Sequence, residues 1–109
     1  MFRTKEQHKK CNSCPIAKTA DLIGDSTTLL IIRDLAKKPR RFTDFETSLP
    51  GVSTRTLTEK LKVLEAEEII VKEKYAEFPP RVEYKLTKKG KGLLGVIAAM
   101  EKYGKKYLK

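Results

Sequence analysis

Between two runs with helical character the chain reads LPGVS, Leu49 to Ser53. This short turn constrains the fold more than any other stretch. Proline halts a helix, and glycine supplies the backbone freedom that a tight turn needs. Ser53 is a strong N-cap, and Val52 and Leu57 hold the two positions of a hydrophobic staple around it. The spacing predicts a helix from Thr54 to about Glu67, with Leu57, Leu61 and Leu64 on one stripe. Upstream, Thr43 and Glu46 have capping-box spacing and open a helix of one to two turns through Phe45 and Leu49. Two short helices joined by such a turn make a helix-turn-helix.

The flanks complete the architecture. Pro15 suits the first turn of a helix that continues from Ile16 to Ile23 and closes near Gly24. Ser26 is read as the cap of a second helix, Thr27 to Lys38, stopped by Pro39. Ile69 to Tyr75 and Val82 to Thr87 have strand character. In the second, Val82, Tyr84 and Leu86 face one way and Glu83, Lys85 and Thr87 the other. They predict a hairpin whose tip, Ala76 to Arg81, carries Pro79 and Pro80. Proline cannot donate to a sheet ladder, so these prolines lie in a turn or on an edge and stiffen the tip. A last helix is expected from Lys88 to about Lys106, with Leu93, Leu94, Ile97, Met100 and Tyr107 along it. The expected fold is α+β and mainly helical, a single winged helix-turn-helix domain over residues 1–109. Within it, 1–13 is a basic N-terminal arm, 69–87 the wing hairpin and 88–109 a C-terminal helix for dimerisation.

Charge narrows the function. Lys and Arg number 24 against 14 Asp and Glu, a net charge of +10, and such an excess in a small domain favours a polyanion, nucleic acid above all. An anionic membrane surface needs a helix whose apolar face is free. Here the apolar stripes are required for the core, so no membrane contact is expected. MFRTKEQHKK has no apolar stretch to act as a signal peptide, which predicts a cytoplasmic location unless a leader precedes the sequence. Opposite the leucine stripe of the Thr54 helix stand Arg55, Thr58, Glu59 and Lys62. Arginine forks onto guanine, threonine bonds a base or touches a thymine methyl, and lysine pairs with phosphate. Ser53 and Thr54 lie where the first backbone N–H groups accept a phosphate. Double-stranded DNA is therefore the expected partner, met by Ser53, Thr54, Arg55, Thr58 and Lys62 and, on the wing, by Arg81 and Lys85. The bland reading is a solvated helix face, and Glu59 in the middle of the patch speaks for it. One histidine, no glycine-rich phosphate loop and no nucleophile–base pair predict neither catalysis nor a cofactor. The main competitor is a protein-interaction module that uses the hairpin and last helix.

Cys11 and Cys14, in a reducing compartment, do not predict a structural disulfide. Cys14 stands at the N-cap of the first helix, where the helix dipole favours a thiolate, and Lys18 is one turn on. Such a thiol attacks electrophiles and oxidises readily, and Cys11, three residues earlier, is placed to resolve it. The alternative is two ordinary cysteines in an arm. His8, Cys11 and Cys14 also spell H-x-x-C-x-x-C, but a structural zinc site wants four ligands and no second pair exists, so no metal is expected.

Three blocks, CPIAKTADLIGDSTTLLIIRDL, PRRFTDFETSLPGVSTRTLTEKLKVLEAEEII and FPPRVEYKLTKKG, resemble in order and spacing the HxlR-type family of winged helix-turn-helix transcriptional regulators. The resemblance runs from about Cys14 to Gly90. Its most specific pieces are the Cys-Pro start, the Arg-Phe pattern from Arg41 to Phe45 and the Pro-Pro-Arg-Val-Glu-Tyr wing. It implies a bacterial or archaeal homodimer on a palindromic operator. It also implies a sensing cysteine at Cys14, acted on by a small electrophile or oxidant, as in several such regulators. The alternative is a general DNA-binding protein with no sensing role. One departure is visible: many members carry Lys-Trp where Ser26-Thr27 stand here. That removes an aromatic packing residue near the dimer region and bears on the signal more than on the fold.

Overall fold

Phe45, Ile31, Ile32, Leu57, Leu61 and Leu64 are fully buried, and the elements that carry them close around one another. The structure, a computed structural model, describes residues 14–108. In chain order these form α1 (Pro15–Ile23), α2 (Ser26–Lys37), α3 (Phe42–Ser48), α4 (Thr54–Ala66), β1 (Ile70–Tyr75), β2 (Arg81–Leu86), α5 (Lys88–Lys91) and α6 (Leu94–Tyr107). The architecture is mainly helical with a small sheet, as the periodicities predict. Each leucine of α4 buried against α2 and the sheet contributes about 1.5–3 kcal/mol relative to exposure.

The helix-turn-helix is local chemistry. α3 ends as Leu49 N–H donates to the Phe45 carbonyl at 2.8 Å, and Gly51 then takes φ +91°, the left-handed region that admits glycine. Ser53 caps α4 as expected, its Oγ accepting from Thr56 N–H at 3.0 Å. Below this turn, buried Asp34 ties α2 to α3. It accepts from the Ser48 hydroxyl at 2.6 Å and from both Nε and Nη2 of Arg33 at 3.0 and 2.9 Å. A buried carboxylate is tolerated because it is paired and hydrogen-bonded.

The wing is an antiparallel hairpin in register from Ile70↔Leu86 to Tyr75↔Arg81. Arg40 adds a one-residue third strand, exchanging backbone hydrogen bonds with Tyr84 at 2.9 and 2.7 Å. This pins the α2–α3 connection to the sheet and sets Tyr84 against Phe45, ring centroids 6.3 Å apart.

Four expected boundaries are corrected. The cap of α2 is Asp25, one residue before Ser26. Its carboxylate accepts from both the N–H and the hydroxyl of Thr28 at 2.9 Å, two bonds where a serine offers one oxygen. α2 also stops at Lys37 rather than Lys38. α3 opens at Phe42 without Thr43 or Glu46, because the Asp44 carboxylate reaches back to Arg41 N–H at 2.8 Å. The last helix is broken in two. Thr87 Oγ1 accepts from Gly90 N–H at 3.0 Å, and two short turns, Gly92 N–H to Lys89 O and Leu93 N–H to Gly90 O, separate α5 from α6. Gly90 lies so close to the sheet that a Cβ there would stand 2.1 Å from the Ile69 carbonyl oxygen, a contact only glycine allows.

Candidate nucleic-acid interface

The buried stripe of α4 fixes which residues face outward. Arg55 and Glu59 are 89% and 62% exposed in their side chains and paired, Nε to Oε1 at 3.1 Å. Among the described residues only Nε is engaged, so the terminal nitrogens of the Arg55 guanidinium stay available for a bidentate contact. Thr58 lies one turn from Thr54 and donates its hydroxyl to the Thr54 carbonyl at 2.8 Å. Lys62 is exposed with no ion pair among the described residues. At the start of the helix Ser53 spends its oxygen on the cap, which leaves the first backbone N–H groups, of Thr54 and Arg55, directed out of the helix. Of the residues expected from sequence, Ser53, Thr54, Arg55 and Lys62 are exposed and Thr58 is half-buried.

α4 is held in place from behind. Lys60 Nζ meets Asp25 Oδ2 at 3.2 Å, linking α4 to the start of α2. Burial pushes the Asp25 carboxyl up, but the Thr28 N–H and hydroxyl and the Lys60 ammonium outweigh it and hold the group below its ordinary value. This tie was not read from the sequence, since nothing in the spacing of residues 25 and 60 marks it.

The wing differs from expectation in which cations are free. The tip does not stand apart from all packing: Arg81 Nη2 pairs with Glu77 at 3.1 Å and its guanidinium lies 4.2 Å over the Tyr75 ring. Its Nε is buried without a partner. Lys85 pairs with Glu73, which also accepts from Tyr75 OH at 2.8 Å. The Lys85 hydrogen bond, then that of Tyr75, holds the Glu73 carboxyl below its ordinary value. The wing lysines left exposed and without an ion pair among the described residues are Lys72 and Lys74, opposite Tyr84 and Val82 in the register. Strict alternation along β1 (Ile70, Lys72 and Lys74 against Val71, Glu73 and Tyr75) is the signal that separates the free from the paired.

A family model described as HxlR-like helix-turn-helix matches residues 22–109. The chain belongs to that family. A helix-turn-helix-type transcriptional regulator of Synechocystis sp. is 43% identical over 95 residues, which span 87% of this chain and 70% of that relative. The redox regulator HypR in its oxidised form superposes with a TM-score of 0.83 at 32% identity, covering 88% of this chain and 99% of its own. The reduced form of the transcriptional regulator YodB from Bacillus subtilis gives 0.76 at 34% identity, covering 88% and 95%. This HxlR-like chain is a transcriptional regulator of the helix-turn-helix type.

In the HxlR-like chain Cys14 takes the expected N-cap position of α1, half-buried and unbridged, its carbonyl accepting from Lys18 N–H at 3.0 Å. It precedes an apolar hollow of about 510 Å³ lined by Pro15, Ile16, Ala20, Ile23, Leu29 and Met100. Cys11, His8 and the basic arm lie outside the described residues. Among those described, no cluster of three or more His, Cys, Asp or Glu is placed to hold a metal, and no helix is long and apolar enough to cross a membrane.

Proposed function

We propose that this regulator binds a palindromic operator in double-stranded DNA as a homodimer, reading each half-site with α4. The observation that carries the reading is the outward face of α4, where Arg55, Thr58 and Lys62 project from a helix whose opposite face is sealed in the core. Arg55 reads a base pair, Thr58 touches an adjacent base, Lys62 meets phosphate, and Ser53 and Thr54 bring the helix start to a phosphate. The net charge of +10 supplies the attraction. On the wing, Lys72 and Lys74 make the first backbone contacts, Lys85 joins by exchanging Glu73 for phosphate, and Arg81 approaches phosphate while still paired with Glu77. A cytoplasmic location goes with this role.

Dimerisation is supported by the apolar surface that α1 and α6 leave open, Ile16, Val96, Met100, Tyr103 and Tyr107. Two copies of α4 one DNA turn apart read a palindrome, whereas one reads half of it. Cys14, beside that surface, is proposed as the group on which an oxidant or electrophile acts. Modification there shifts one subunit on the other and moves the two copies of α4 out of register, with Cys11 as resolving thiol. Support comes from the N-terminal position of Cys14 on α1 and from the likeness to HypR, a redox regulator.

Selection of bound duplexes from random sequence, with reduced and with diamide-treated protein, tests both halves. The expected result is a two-fold symmetric site whose recovery falls on oxidation, with affinity dropping steeply in salt. Recovery of no sequence above background overturns specific reading. An unchanged affinity with Cys14 fully modified overturns sensing alone.

A further inference from the structure

We infer that Phe78 is a wedge: it enters the minor groove beside each half-site, partly unstacks one base step, and makes the protein bend the DNA it binds. The inference rests on the DNA-binding reading above and adds what the wing does there. Phe78 is 100% exposed, and Pro79 and Pro80 beside it are exposed as well. The fold gains nothing from this ring, because it packs on no other residue. Phenylalanine and proline are the side chains that proteins insert between base steps from the minor groove, spending unstacking energy to gain a bent, better-wrapped duplex.

The electrostatics of the hairpin fit that use. At the root of the tip, Glu77 and Arg81 neutralise each other, and Arg81 is pressed onto Tyr75. The tip therefore carries no net charge and ends in Phe78, Pro79 and Pro80, while Lys72 and Lys74 stand on β1 without an ion pair among the described residues. A cationic shaft draws the hairpin to the phosphates, and an uncharged end is left to enter between them. A wing built for backbone contact alone would carry its free cations at the tip. Reach agrees too: strands of six residues extend roughly 20 Å, and the minor groove flanking a major-groove helix is about half a turn, ~17 Å, away. Two prolines fix φ on one side of Phe78, so the ring is presented without much ordering on entry.

The experiment uses the full chain and the duplex recovered by selection. 2-Aminopurine is placed in turn at each step outside the α4 contacts, and dyes at the two ends report bending by energy transfer. The parent protein is expected to brighten one step per half-site and to shorten the end-to-end distance. Phe78→Ser should abolish the brightening and most of the bend, with an unchanged melting curve. Its affinity should stay within about tenfold of the parent's, since unstacking cost and contact gain largely cancel. Phe78→Leu, still an apolar wedge, should restore part of both signals. If the parent binds without brightening any step, or Phe78→Ser bends the duplex as the parent does, the wedge is overturned while DNA binding stands. Failure of the parent to bind any duplex overturns the binding reading and the wedge together.

Discussion

α4 and α6 are nearly equal in length, 13 and 14 residues, and opposite in how they are held. α4 sinks Leu57, Leu61 and Leu64 to 1% exposure each, is capped by Ser53, and is tied to α2 through Lys60 and Asp25. α6 buries no residue; Leu94 and Ile97 only half-pack on the core, and Met100 is 50% exposed. Its ion pair, Lys105 to Glu101 at 3.0 Å, stays within the helix. A helix of that length has little stability of its own in water and draws it from packing. One chain therefore completes the environment of the helix proposed to read DNA, and leaves that of the C-terminal helix for a second surface.

The strongest way to break this contrast is to remove packing from each helix in turn. Leu61→Ala should destabilise the protein by about 2–5 kcal/mol in urea or thermal melting, because the site sits where α4, α2 and the sheet meet. Met100→Ala should cost less than about 1 kcal/mol at a concentration where the chain is monomeric. Equal losses at the two positions would mean that α6 belongs to the core after all. Next in size, Met100→Glu puts a carboxylate on the apolar α1–α6 surface. Sedimentation should show dimer affinity weakened at least tenfold, about 1.4 kcal/mol, with the monomer's melting curve unmoved. A parent that sediments as a monomer throughout would remove the second surface from the account.

The same contrast sorts what was legible in the sequence. The helix-turn-helix was plain because its signals are adjacent: Pro50, Gly51 and Ser53 each do their work within a few residues. The outward face of α4 followed from period alone. The break between α5 and α6 was hidden: it follows Gly90, which meets the Ile69 carbonyl across 21 positions of chain. Pattern alone continues the helix there. The cap of α2 was misassigned by one residue because Asp25 and Ser26 are both good caps, and only the position of Thr28 and Lys60 favours the carboxylate. On the wing, composition announced basic residues but not their partners. Glu73 and Glu77 occupy Lys85 and Arg81, leaving Lys72 and Lys74 without an ion pair among the described residues.

A smaller effect, of opposite sign, sits at the end of α4. The helix closes in a Schellman turn, with Glu68 N–H donating to Glu65 O at 3.0 Å and Ile69 N–H to Leu64 O at 2.9 Å. Glu68 holds φ +61° there, a left-handed position that favours glycine. Glu68→Gly should therefore stabilise the protein by about 0.5–1 kcal/mol, the relieved strain being partly offset by a more flexible unfolded chain. Chemical denaturation measures it. A loss instead would show that the Glu68 side chain holds α4 through contacts that outweigh the backbone.

The smallest effect probes the tie that α6 lacks. Asp25→Asn keeps an oxygen for the Thr28 N–H but removes the charge facing Lys60, 3.2 Å away. Both partners are about one-quarter exposed, so solvent screening keeps the expected loss to about 0.5 kcal/mol near neutral pH. Acid should erase it, with a defined sign. The Asp25 carboxyl is held below its ordinary value of 3.8 in the folded protein, so the unfolded chain takes up the proton first as pH falls. The charge's contribution is then complete above about pH 4 and fades as pH drops through the lower, folded value. Parent and Asp25→Asn should differ at neutral pH and converge once pH is below the folded value, because a protonated Asp25 is nearly the shape and charge of the variant. Denaturation series at stepped pH decide this. A gap that stays constant into acid would place the loss in the cap rather than in the charge. The hold of α2 on α4 would then be a matter of hydrogen bonding alone, and α4 would differ from α6 in its buried leucines and its caps.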